Sequence, residues 1–279
     1  MRRLSYKQQW RWYVITSIIL VAFCFPLYWS ILNSIKPPLE TLTSSWIPFV
    51  QFRPTLKNWM FELRGWETRR ALFNSAVVSI SATLIVLFIG TLAAYALATF
   101  KFRKMKNQDI LIWFLSQRVM PPVIFVVPFF ILMKTLRLLD TRYALILVNV
   151  TFTLPFAVII MREIFREIPL ELTEAALVDG ASHWQVFYKV ILPLASVGLV
   201  AVGIICLSFT WNEFLFALTL SYKEAIVMPV LIVGAEHTRG VQFWYVAIRT
   251  LLTMSVPIII ALFAQRYLVR GLTLGAVKG

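Results

Sequence analysis

The sequence predicts an all-α, polytopic membrane protein with six transmembrane helices. Hydrophobic residues make up 59% of the chain and charged residues only 14%, mean hydropathy is +0.78, and the apolar residues gather into six long runs. Side chains this apolar cannot all be hidden inside one water-soluble core. A helix of about 20 mostly apolar residues, by contrast, crosses a bilayer.

The first run covers residues 12–32. It is longer than the apolar region of a signal peptide and no small-residue cleavage site follows, so it reads as a retained anchor. The connection 33–71 mixes Pro37, Pro38, Pro48 and Pro54 with Trp46, Trp59 and Trp66. It reads either as an interfacial loop held by its tryptophans or as a contact for another protein. The second run, 72–98, leads into the basic cluster Lys101, Arg103, Lys104 and Lys106. The third, 110–133, contains Pro121-Pro122 and Pro128, and the fourth, 143–161, contains Pro155. Proline removes a helical hydrogen bond and clashes with the preceding turn, so kinks or breaks are expected at these positions. The fifth and sixth runs are 194–220 and 245–267. The expected organisation is a cytoplasmic N-terminus (1–11), a six-helix transmembrane domain (12–268) with a polar loop at 162–192, and a cytoplasmic tail (269–279).

A net charge of +14 would suggest nucleic acid in a soluble protein. Here the basic residues sit mainly at the ends of the runs, where they snorkel toward anionic lipid headgroups, and no nucleic acid is expected. With the N-terminus inside, fourteen Lys and Arg fall on the cytoplasmic side and eleven outside, leaving Arg118 and Arg249 within runs. This bias is weak, and the Lys101–Lys106 cluster favours it. Cys24 and Cys206 lie in apolar runs without metal-type spacing and read as small core side chains. His183 and His237 fall in different connections, and there is no glycine-rich phosphate loop or Ser/His/Asp arrangement. An enzyme active site is not expected, nor a metal.

The loop 162–192 holds five of the thirteen acidic residues: Glu163, Glu167, Glu171, Glu174 and Asp179. Pro169 suits a first helical turn, and Glu171 and Glu174 complement the positive end of the helix dipole. Ala175 and Ala176 favour helix, and Asp179-Gly180 supplies a stop with glycine available for the left-handed conformation. Ser182 with Gln185 is a capping-box pattern that starts a second helix. Trp184, Phe187, Tyr188 and Ile191 then recur at helical spacing, and Pro193 is expected to close it. Two short helices joined at Gly180 make a surface knob for a soluble partner, or an amphipathic hairpin lying on the membrane.

Glu174-Ala175-Ala176, Gly180 four residues on, and Val190-Ile191-Leu192-Pro193 after nine more resemble the coupling-loop signature of ATP-binding-cassette (ABC) importer permeases, with Val190 where isoleucine is usual. The resemblance runs from Phe73-Asn74-Ser75 onward and is nearest to carbohydrate permeases of the maltose-transporter type. It includes Leu138-Leu139-Asp140-Thr141, Leu154-Pro155-Phe156, Ile168-Pro169, Trp211-Asn212-Glu213-Phe214 and the tail Gly271 to Gly279.

The resemblance implies a type I ABC importer permease fold in the inner membrane of a bacterium or archaeon, with both termini and the signature loop cytoplasmic. It implies a subunit that hydrolyses nothing and binds no cofactor itself. ATP and Mg would sit on two partner ATPase subunits docked on Glu174, Ala175, Ala176, Asp179, Gly180 and Pro193. A second homologous permease would complete the path, and an extracytoplasmic solute-binding protein would deliver a sugar, polyol or sugar derivative.

Polar groups inside apolar runs are costly in hydrocarbon and usually face a bundle interior. Arg118, Asn149, Asn212, Glu213 and Arg249 therefore form the candidate substrate path or gate. Pro121, whose break frees carbonyls, and Trp211, beside Asn212, join them. Glu213 and Arg249 lie about 10 Å and about 6 Å below the outer ends of their runs on the helical rise, close enough in depth to pair, either as a structural ion pair or in a gating role. Arg118 lies about 12 Å inside its run. Its partner is freed backbone carbonyl, the companion permease, or an anionic substrate. The competing reading is a self-contained secondary transporter or channel; the absence of a visible internal repeat and the single mid-run acid argue against it.

Overall fold

The computed structural model describes residues 6–234, 236–237 and 240–273. Arg2, Arg3, Arg239 and residues 274–279 of the tail lie outside the described residues. The fold is helical: α1 (Tyr6–Ile35), α2 (Lys57–Arg64), α3 (Trp66–Thr99), α4 (Asn107–Val119), α5 (Val126–Thr135), α6 (Arg142–Glu167), α7 (Leu170–Val178), α8 (His183–Val186), α9 (Leu192–Leu194), α10 (Ser196–Trp211), α11 (Leu215–Leu220), α12 (Met228–Val233) and α13 (Phe243–Thr273). The two-residue strands β1 (Glu236–His237) and β2 (Gly240–Val241) pair antiparallel.

Among the described residues four helices are long and apolar enough to cross a membrane: Gln9–Ile35, Trp66–Thr99, Arg142–Glu167 and Phe243–Phe263. Two bent pairs, Asn107–Val119 with Pro122–Thr135 at 91° and His183–Leu194 with Ser196–Trp211 at 76°, bring the number to six if each is counted as one span.

The prolines act according to position. Pro121-Pro122 break the third run as expected. Pro128 falls in the first turn of α5, where the missing N–H has no helical acceptor to lose. Pro155 is carried inside the unbroken α6. The fifth run is not one helix either: α10 stops at Trp211, and Glu213 starts α11 by accepting from the Phe216 and Ala217 amides at 2.7 and 3.0 Å. A carboxylate at a helix start competes successfully with continuation because it satisfies N–H groups that would otherwise be orphaned. The expected long loop 33–71 also contains α2, and α3 begins at Trp66, six residues before the apolar run at 72, with Glu67 in its first turn.

The chain divides into two compact units, Met1–Arg69 with Leu231–Ser255, and Arg70–Val230 with Val256–Gly279. In the first, Trp46 packs 4.7 Å from Trp29 and its carbonyl accepts from the Tyr28 hydroxyl at 2.8 Å, tying the segment after α1 back onto that helix. Lys36, fully buried at the end of α1, lies over Trp29 and Phe52. Burial pulls its pKa below the ordinary lysine value, with the Glu40 charge opposing.

In the second unit glycines of α3 and α10 face α6. A Cβ at Gly90 would meet Ala157 Cβ at 2.8 Å, and one at Gly198 would meet Ile164 Cδ1 at 2.5 Å. Such close backbone approach is how helices gain dispersion contact when lipid offers no hydrophobic contrast. Asp140, in the left-handed region at φ 58°, accepts from four amides, Tyr222, Lys223, Glu224 and Ala225, at 2.9–3.1 Å. The segment after α11 is thereby locked to the start of α6.

Candidate coupling loop and transport cavity

The loop 162–192 folds as its local residue order dictates. α7 starts after Pro169 and ends at Asp179. Gly180 adopts φ +84°, its amide donates to the Leu177 carbonyl at 3.1 Å, and the Ala181 amide reaches back to the Ala176 carbonyl at 3.0 Å. This pair of bonds is a Schellman ending, which needs a left-handed residue and so favours glycine. Ser182 and Gln185 then close a reciprocal capping box, Gln185 N to Ser182 Oγ at 3.3 Å and Ser182 N to Gln185 Oε1 at 2.7 Å. The turn between the two helices is therefore satisfied at both ends without outside help.

Two details differ from the sequence expectation. The chain past α8 widens into a π-helical turn, Phe187–Ile191, and Pro193 lies within α9 rather than closing the helix. A proline ring clashes with the carbonyl four residues earlier in a regular α-helix, and a π turn shifts that carbonyl away. The aromatic stripe is also divided. Phe187 and Ile191 are buried with Tyr95, Phe165 and Val86, with Tyr95 and Phe187 rings 4.9 Å apart, whereas Trp184 and Tyr188 are exposed. Tyr95 of α3 also donates to the His183 carbonyl at 3.3 Å. The knob is thus rooted in α3 and α6. Glu174, Ala175, Val178, Asp179, Trp184 and Tyr188 form its outward surface.

Arg118, Asn149 and Glu213 come together around one cavity of about 250 Å³, with Pro122, Phe152, Phe209 and Phe214 among the other walls. Arg118 ends α4, where a cation suits the negative end of the helix dipole. Its guanidinium carbon lies 3.5 Å from the Phe156 ring centre, and Phe156 stacks on Phe209 at 4.9 Å and 19°. The aromatic partners are not legible as such in the sequence, because they come from α6 and α10.

The other path candidates separate. Pro122 rather than Pro121 lines the cavity. The Asn212 amide donates to the Ser208 carbonyl of its own helix at 2.9 Å. Trp211 is buried and, with Asn149 and Glu213, borders a small void of about 10 Å³. Arg249 does not pair with Glu213. Its Nε meets Glu62 Oε1 at 2.6 Å, its Nη1 donates to the Leu231 carbonyl at 2.7 Å, and its Nη2 reaches the Tyr245 hydroxyl. Glu62, itself accepting from Thr68, falls in a stretch that reads as loop in the sequence; its partner lies 187 residues away, and no local pattern announces it. Glu213 is meanwhile occupied by the α11 amides. No cluster of His, Cys, Asp or Glu fit for a metal occurs among the described residues.

Residues 87–274 match the profile of the family described as binding-protein-dependent transport system inner membrane component. The chain belongs to that family. It is 36% identical over 287 residues to the trehalose transport system permease protein SugB of Mycobacterium tuberculosis (strain CDC 1551 / Oshkosh), covering 100% of this chain and 99% of that protein. It is 34% identical over 274 residues to the sulfoquinovosyl glycerol transport system permease protein SmoH of Agrobacterium fabrum, covering 96% and 93%. The fold matches a chain in the crystal structure of a bacterial ABC transporter involved in the import of the acidic polysaccharide alginate, with TM-score 0.77 at 22% identity, covering 96% of this chain and 99% of that one. This binding-protein-dependent permease is therefore a membrane-embedded, non-enzymatic subunit of an ABC importer with the type I permease fold.

Proposed function

We propose that this chain is one of two homologous permeases in an importer for a sugar, polyol or sugar derivative. Two ATPase subunits carrying ATP and Mg dock on the loop around Gly180, and an extracytoplasmic binding protein delivers the substrate. The observation that carries the coupling role is the doubly capped two-helix unit. Its ends are hydrogen-bonded internally, while Phe187 and Ile191 fasten it to the core of the second unit. A rigid body of this kind passes on a displacement instead of absorbing it. Closure of the ATPase pair would move α7 and α8 together and rock the attached helices between inward-open and outward-open arrangements. The sugar class rests on the trehalose and sulfoquinovosyl glycerol relatives.

In this reading the spans are about 12–32, 72–98, 110–133, 143–161, 194–220 and 245–267, and both termini and the loop 162–192 face the cytoplasm of an inner membrane. Lipid surrounds the outer helix faces. Arg118, Asn149 and Glu213 line this chain's half of the path.

Affinity purification of the tagged chain from its native membrane tests the assembly. ATPase subunits should co-purify, and proteoliposomes holding the complex with its binding protein should take up sugar only with ATP. Uptake by this chain alone, driven by an ion gradient, would overturn the reading in favour of a secondary transporter.

A further inference from the structure

The cavity at the end of α4 is lined by one cation, Arg118, and by the polar side chains of Asn149, Thr153 and Glu213. The Asn149 side-chain amide donates to the Leu145 carbonyl at 2.8 Å and the Thr153 hydroxyl to the Asn149 carbonyl at 2.6 Å, so one of the two Asn149 donors and the Thr153 donor are used within α6. The two Glu213 oxygens each accept a backbone amide of α11. Arg118 differs. One face of its guanidinium rests on Phe156, it has no carboxylate partner among the described residues, and it borders the cavity.

We propose that Arg118 binds an anionic substituent of the transported sugar, a carboxylate, sulfonate or phosphate, with Phe152, Phe209 and Phe214 as apolar walls for the ring. A planar guanidinium held by stacking keeps its N–H edge free and pre-aimed, and that edge matches a two-oxygen anion in bidentate fashion. The one carboxylate in the wall holds two amides, which offset part of its charge. The guanidinium, unpaired among the described residues, is therefore the feature of the cavity that favours an acceptor carrying negative charge. This inference rests on the proposed importer reading and narrows its substrate class.

The test uses the whole permease–ATPase complex in nanodiscs, without binding protein, so that selectivity in the membrane is read directly. Equilibrium dialysis would compare radiolabelled methyl α-D-glucoside with methyl α-D-glucuronide, the 6-sulfonated glucoside and the 6-phosphate. At least one charged probe should bind about tenfold to hundredfold tighter than the neutral one, the range of a charge-assisted hydrogen bond. Arg118→Gln should abolish that preference, and Arg118→Lys, which keeps the charge but not the fork, should retain part of it. Equal binding of all four probes, failure of every charged probe to bind, or a preference that survives in Arg118→Gln overturns the inference. So does loss of the companion permease from the Arg118→Gln complex, which would make Arg118 a bridge between subunits. ATP-dependent uptake of a neutral sugar by the wild-type complex would leave the importer reading standing in each of these cases.

Discussion

Arg249 donates through Nε to Glu62 at 2.6 Å, and both side chains are 2% exposed. Removing one partner from a buried pair leaves a desolvated charge, which costs about 3–5 kcal/mol. Glu62→Leu and Arg249→Met should each lower the thermal midpoint of the purified complex sharply, whereas the two together should recover part of the loss. A double variant as unstable as the sum of the singles would show that the pair is not the relevant unit.

Gly180 sits at φ +84°, and nothing lies within 4 Å of the position a Cβ would take there, so a substitution is strained by backbone conformation and not by crowding. A β-branched residue in this region costs about 1–2 kcal/mol. Gly180→Val should assemble normally yet lose about tenfold in ATP-driven uptake, the rate equivalent of about 1.4 kcal/mol. Gly180→Asn, which tolerates the left-handed region, should lose less. Full uptake and substrate-stimulated ATPase activity in the valine variant would remove the loop from the coupling mechanism.

Asp140 holds four amides of residues 222–225. Asp140→Asn keeps the shape but exchanges charged acceptors for one neutral one, at about 1.5–3 kcal/mol for a lost charge-assisted bond. Hydrogen exchange should accelerate at residues 222–225 before it does so in α6. Unchanged exchange there would mean that the segment is held by other contacts.

Gly198 faces Ile164, whose Cδ1 would lie 2.5 Å from an added Cβ. Gly198→Ala should destabilise the α6–α10 packing by about 1–3 kcal/mol, the usual range for overpacking. Adding Ile164→Val removes the clashing methyl and should restore much of the thermal midpoint. If the second change restores nothing, the cost at Gly198 is not steric.

What the residue order determined by itself was whatever acts within a few positions along the chain. Apolar runs of spanning length made the helices, and Gly180, Ser182 and Gln185 made the turn between α7 and α8, because left-handed glycine and a reciprocal cap involve neighbours no more than five residues apart. The coupling signature also carried the family, since its spacing is a local property. Tertiary structure alone decided the pairing of Arg249 with Glu62 across 187 residues and the stacking of Arg118 on Phe156. It also decided which half of the Trp184–Ile191 stripe is buried. The fifth apolar run divided at Glu213 because a carboxylate can cap a new helix only once the chain has turned to present its amides. Hydropathy does not encode that turn. Long-range partners are selected by burial, where an unpaired charge is too costly to keep, and a sequence shows which groups need partners without showing which ones they meet.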